Sequence, residues 1–142
     1  MWFRVNEIVP ANTTEATALE TRLLLTRGTI VEWDVGAPDE AANLLKLQAF
    51  YHGQQILPFN PGKLIYPAAV KAPKKDNYPL DVVPYELVFK AWNEDDSYAH
   101  EYWVDVTLLR EEELMGTVTS PGLAERIYDF FSGLAHVVFG VF

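Results

Sequence analysis

The sequence predicts an all-β chain: a single-domain antiparallel β-sandwich, or a small barrel, followed by a C-terminal amphipathic helix. Three observations point there. Apolar–polar alternation with a period of two recurs between residues 2 and 109, which is the grammar of half-buried strands. Gly, Pro, Asn and Asp clusters interrupt it at short intervals, as in sandwiches and barrels. Beyond residue 122 the apolar spacing lengthens to that of a helix. The expected layout is a sandwich at 1–110, an acidic and polar linker at 111–122 and a helical tail at 123–142.

Residues 2–9 alternate weakly through Phe3, Val5, Glu7 and Val9 and stop at Pro10, which reads as an edge strand or an ordered arm. Residues 11–18 are small and polar and form a loop. Residues 19–27 place Leu19, Thr21, Leu23 and Leu25 on one face, and residues 29–35 do the same with Val31, Trp33 and Val35. These two segments read as paired strands that meet near Arg27-Gly28. Residues 39–55 admit two readings. Asp39 and Glu40 after Pro38, with Gly53 as a stop, suit a helix. Leu45, Leu47, Ala49 and Tyr51, turned back by His52-Gly53 into Gln55-Ile56-Leu57, suit a strand and its return. The strand agrees with its surroundings, leaving residues 40–43 as one helical turn. Pro58, Pro61, Pro67 and Pro73 deny the next stretch a central strand. Residues 63–66 read at most as a short edge strand, and Lys71, Lys74 and Lys75 form a small basic patch beside Asp76.

The clearest stretch is 85–109. Tyr85, Leu87, Phe89 and Ala91 share one face, against Glu86, Val88, Lys90 and Trp92. Tyr98, His100, Tyr102, Val104, Val106 and Leu108 then share a nearly apolar face, against Ala99, Glu101, Trp103, Asp105, Thr107 and Leu109. One dry and one wet face is what an antiparallel sheet needs. The polar turn Asn93-Glu94-Asp95-Asp96-Ser97 predicts a hairpin of the longer-loop class. Further on, Ser120-Pro121 is a helix-start signature. Leu123, Ile127, Phe130, Phe131, Leu134 and Val138 lie on a broad apolar stripe, with Glu125 and Asp129 near its positive end. Gly133 and Gly140 weaken a helix, so the last residues also read as a strand.

At 142 residues and 49% hydrophobic, the chain is long and apolar enough to bury a core. It has no cysteine, which excludes disulfides, a thiol nucleophile and a Cys-based zinc site. The net charge is −9, and residues 93–113 hold eight acids against the single base Arg110. Such a balance disfavours nucleic acid and anionic membrane surfaces. Residues 1–7 offer no apolar run of signal-peptide type, and no run approaches the ~18 residues of a spanning helix, so a cytoplasmic or virion location is expected.

No catalytic constellation stands out. His52, His100 and His136 are far apart and lack metal spacing, and the chain carries no P-loop, G-x-G-x-x-G or G-x-S-x-G. The acidic turn lacks the pattern of an EF-hand. No enzyme, cofactor or metal is therefore expected. Two binding features remain. The tail stripe needs cover from its own sheet, a second subunit or, least in keeping with its few bases, a membrane. Nineteen aromatic residues include Trp92 and Trp103 on the mixed faces of the predicted hairpin, a conceivable platform for stacking sugars. The expected function is a non-enzymatic structural or assembly protein, a homo-oligomer or part of a larger protein assembly. Small cysteine-free sandwiches without an export signal occur among virion components such as capsid decoration and tail-associated proteins, a fold-level analogy. A glycan-binding module is the alternative.

Overall fold

The computed structural model describes residues 1–116. Among them are eight strands: β1 (Trp2–Val9), β2 (Leu19–Leu24), β3 (Gly28–Gly36), β4 (Leu45–Tyr51), β5 (Gln54–Leu57), β6 (Lys74–Leu80), β7 (Glu86–Asn93) and β8 (His100–Leu109). They form two antiparallel sheets, ordered β1-β8-β3-β6 and β2-β7-β4-β5. Most of the alternating residues predicted to be dry lie between the sheets; Tyr98, 72% exposed, does not, and Ile30 takes the inward place expected of Val31. Leu87, Phe89 and Ala91 of β7 meet Tyr102, Val104, Val106 and Leu108 of β8 in one core, all of them 0% exposed. Trp33 of β3 crosses the interior to set its ring edge against Phe89, with centroids 6.4 Å apart. A register shift between Ile30 and Glu32 lets Ile30 and Trp33 both point inward although they are three positions apart.

Two pairings differ from expectation. β7 and β8 are consecutive strands, but they belong to opposite sheets, so residues 85–109 are a sheet-to-sheet crossing and not a hairpin. β2 and β3 also part company: β2 pairs with β7, and β3 with β6. Alternation identifies the buried face of a strand and leaves its neighbour open. A connection as long as residues 94–99 can bridge the ~10 Å between stacked sheets. By contrast, β4 and β5 form the expected hairpin. His52 and Gly53 sit at φ 50° and 77°, the two left-handed positions of a type I′ turn. Asp39–Ala41 is a single 3-10 turn. Residues 63–66 are not a strand; only Ile65 bridges to Leu47. β6 replaces part of the expected loop, as an edge strand that carries Pro79.

The contacts divide the chain after Leu108, and the sandwich is the unit Met1–Leu108. Beyond it, α1 (Glu111–Gly116) occupies the start of the stretch that reads as linker. Arg110 Nε donates to Glu113 at 2.8 Å beside it. The rest of that stretch and the predicted tail helix at 123–142 lie outside the described residues.

Tyr102 is the misfit of the core. It is fully buried, and its hydroxyl has no hydrogen-bond partner among the described residues. Burial pushes the phenol up to about 12; Thr21 stands close enough to oppose that rise but falls short of hydrogen-bond geometry. An unpaired buried hydroxyl costs about 1–3 kcal/mol. Tyr102→Phe should therefore raise stability by about 1 kcal/mol in a urea melt. A clear loss would mean that Thr21 does hold the hydroxyl.

On the outer face, Gly36 supports Trp103 of the neighbouring strand. A Cβ built on Gly36 would stand 2.5 Å from the indole. Gly36→Ala should cost about 1–3 kcal/mol by overpacking. In a Trp103→Ala background that cost should nearly vanish, which a double-mutant cycle of thermal melts reads directly.

Candidate functional site

Of the two predicted sugar-stacking rings, Trp92 is only 3% exposed and offers no open face. Lys90 Nζ lies 5.8 Å from its ring centroid, and Lys46, its cross-strand partner, is held by an ion pair with Glu94. The 3-10 turn Glu15–Thr17 runs beside β7, with Glu15 3.7 Å from Lys90. Trp103 is half-buried against Gly36. The two rings belong to different sheets and make no common platform. Leu123, Ile127, Phe130, Phe131, Leu134 and Val138 lie outside the described residues.

The crossing from β7 to β8 gathers the most polar chemistry. Asn93, 0% exposed, donates from Nδ2 to the carbonyls of Tyr98 (2.9 Å) and Val9 (3.3 Å). Its Oδ1 accepts from the Asp95 amide at 3.0 Å. Asp95 in turn accepts the amides of Ser97 and Tyr98 on Oδ1, at 2.9 and 3.2 Å, and meets His100 Nε2 on Oδ2 at 2.8 Å. A cavity of about 490 Å³ opens beside Asp95, Tyr98, Ala99, His100 and Glu40. An imidazole oriented by a carboxylate is half of a nucleophile-activating device. The neighbouring Ser97 hydroxyl is turned to Asp96, to which it donates at 2.9 Å.

The amide of Ser97, and after it His100, holds the Asp95 carboxyl below its usual range. A depressed carboxyl stabilises the fold above its unfolded value, here the ordinary 3.8, and that contribution is lost as pH falls through the folded value. Acid melts of Asp95→Asn should therefore lose less stability below about pH 4 than the parent. Parallel curves would deny Asp95 that role.

A second cavity, of about 450 Å³, lies between the β4–β5 turn and the end of β6, lined by Tyr51, His52, Gln54, Tyr78, Pro79, Asp81 and Val82. The Tyr51 hydroxyl donates to the Val82 carbonyl and accepts from its amide at 3.1 Å. His52 Nε2 donates to the same carbonyl at 2.9 Å. Tyr78 stands edge-on to Tyr51 at 6.1 Å and is flanked by Phe59 at 6.3 Å, itself 59% exposed. Burial raises the Tyr78 phenol, helped by Tyr51 and Asp81.

The third feature is the side of β1 away from β8, where no strand pairs with it among the described residues. Met1 and Leu108 exchange both main-chain hydrogen bonds, at 2.8 and 3.0 Å. Bonded and non-bonded pairs alternate along an antiparallel ladder. Phe3, Val5, Glu7 and Val9 therefore turn their main-chain groups to β8, while Trp2, Arg4, Asn6 and Ile8 turn theirs away from it. Trp2 and Ile8 are 64% and 63% exposed. Arg4 is neutralised across the strand by a two-point ion pair with Asp105, at 2.7 and 2.9 Å.

Comparison with protein-family models, curated proteins and solved structures finds no match. What the chain can do therefore rests on these three features. Among the described residues no group of three or more His, Asp or Glu could hold a metal, and no helix is long and apolar enough to cross a membrane. The crossing cluster uses its polar groups internally. In the second cavity Tyr51 and His52 are engaged with Val82, while Gln54, Tyr78 and Asp81 line it beside them; the main-chain groups of Trp2, Arg4, Asn6 and Ile8 face away from β8. Sequence reasoning reads residues 2–9 as an edge strand or an ordered arm, and β1 does lie at a sheet edge. It does not find the cavity, which joins residues from distant segments.

Proposed function

We propose that this chain is a non-enzymatic assembly protein that joins copies of itself into a homo-oligomer or a larger particle, a virion among the settings that suit it. The observation that carries this reading is the undefended edge of β1. Sheets guard their edges with lysine, proline, bulges or short strands. β6 has Lys74, Lys75 and Pro79, and β5 is four residues long. β2 is only six residues long and presents Glu20, its Arg22 being paired with Glu86 as Arg4 is with Asp105. β1 runs eight residues in unbroken register, and its one base is already paired. A strand-to-strand contact alone falls below the roughly 1,200 Å² of standard interfaces. The apolar tail stripe is the natural second contact in this proposal.

Absolute mass by light scattering tests it, on the full chain, on a chain ending at Thr119 and on Asn6→Pro, which removes an edge N–H. An oligomer weakened by either change is the expected result. A full-length monomer at every concentration and salt would sink the reading.

A saccharide-binding module is the second reading, and the Tyr78 cavity favours it. Among the described residues the side chains of Gln54, Asp81 and Tyr78 have no hydrogen-bond partner there, beside aromatic rings that suit sugar stacking. Calorimetric titration with a panel of oligosaccharides, repeated on Tyr78→Ala, tests it; absence of heat with every sugar removes it.

A further inference from the structure

We infer that the partner of β1 is β1 of a second copy, paired antiparallel about a two-fold axis at Val5. This rests on the assembly reading above and specifies its geometry. A two-fold axis perpendicular to the sheet keeps outer faces together, so a residue opposes one of its own parity. The open groups belong to Trp2, Arg4, Asn6 and Ile8, which leaves three compact registers.

An axis at Arg4 sets Trp2 against Asn6, so the two exposed apolar side chains of β1 do not meet. An axis at Asn6 sets Trp2 against Pro10, which has no N–H to give, and wastes the end of the ladder. An axis at Val5 pairs Trp2 with Ile8 and Arg4 with Asn6, twice over. Every open main-chain group then finds a partner, about eight hydrogen bonds at two per pair. The same register lays the two exposed apolar side chains of β1 against each other, Trp2 of one copy on Ile8 of the next. Each sheet β1-β8-β3-β6 continues into its copy, and one edge is removed from each molecule.

Two measurements test the register, both on the full chain. Since the chain has no cysteine, a single introduced thiol reports on its own copy alone. The register places the two Val5 residues as a non-bonded pair about 4.5 Å apart at Cα, within disulfide range. Val5→Cys should cross-link under mild oxidation at concentrations where the parent self-associates, and Asn6→Cys should not. Cross-linking of Asn6→Cys alone would overturn the Val5 axis. The second measurement changes only exposed side chains. Trp2→Lys and Ile8→Glu should each weaken self-association about tenfold. The double variant should recover much of it, because Lys and Glu then face each other across the axis. Tighter association of Ile8→Glu alone would place residue 8 against Arg4 and overturn the proposal. A parent that associates while neither signature appears would also overturn this register and leave the assembly reading standing. A parent that never associates would remove both.

Discussion

Asn93→Leu should destabilise the sandwich by about 3–5 kcal/mol, a loss in keeping with several buried groups left unpaired. The side chain is fully buried at the end of β7, where the chain leaves one sheet for the other. Its amide ties the carbonyl of Val9, at the end of β1, to that of Tyr98, just before β8. Its oxygen holds the Asp95 amide, and its own N–H donates to Thr13 Oγ1 at 2.7 Å. Leucine fills a similar volume, so little of the loss comes from a cavity. It comes from two carbonyls and one N–H that lose this partner, the Val9 bond buried and the other two part-buried, each worth about 1–3 kcal/mol when left unpaired in the interior. Asn93→Asp should do no better: it keeps the acceptor for Asp95 but turns a buried carboxylate on two carbonyls. Urea melts of both variants read the effect. A leucine variant within 1 kcal/mol of the parent would mean that water reaches these groups and that the crossing is held by its backbone alone.

That crossing also marks how far the sequence can be read. The alternations of β7 and β8 reveal which residues are dry, because burial of one face leaves a period-two record. They do not reveal that the two strands sit in opposite sheets. That depends on Asn93 reaching Val9, 84 residues away. Trp92 lies on the mixed face where alternation puts it, yet it is only 3% exposed. Its burial needs a second cover, and Lys90 Nζ lies over its ring while Lys46 is its cross-strand neighbour. Gln48 and Gln55 tell the same story. Both are buried polar residues that bond the Lys63 carbonyl, so the proline-rich loop is anchored over β4 and β5. β6 went unread because an edge strand needs little apolar alternation, and Lys74-Lys75-Asp76-Asn77 supplies none. The β4–β5 hairpin was readable because a two-residue turn is local and His52-Gly53 carries it.

Phe89→Ala should cost about 3–5 kcal/mol, the range for removing a buried aromatic ring from a packed core. Phe89 is central in β7, between β2 and β4, and fully buried. Its ring meets Trp33 edge to face, at 6.4 Å and 79°. Trp33 cannot swing in to fill the hole, because its Nε1 donates to Asp76 Oδ2 at 2.8 Å and holds the indole toward β6. Poor relaxation places the expected loss high in that range. Domains of this size have only about 5–15 kcal/mol of total stability. The variant should therefore unfold at a much lower urea concentration, with an unchanged slope if the native core stays closed. Phe89→Leu should cost clearly less, since it keeps most of the volume. The pair Phe89→Leu and Trp33→Leu should couple by about 0.5–1.5 kcal/mol in a double-mutant cycle, the worth of the edge-to-face contact beyond its buried area. Strict additivity would show that the two rings only share a cavity. A Phe89→Ala loss under about 1 kcal/mol would contradict the position of this ring at the centre of the sandwich.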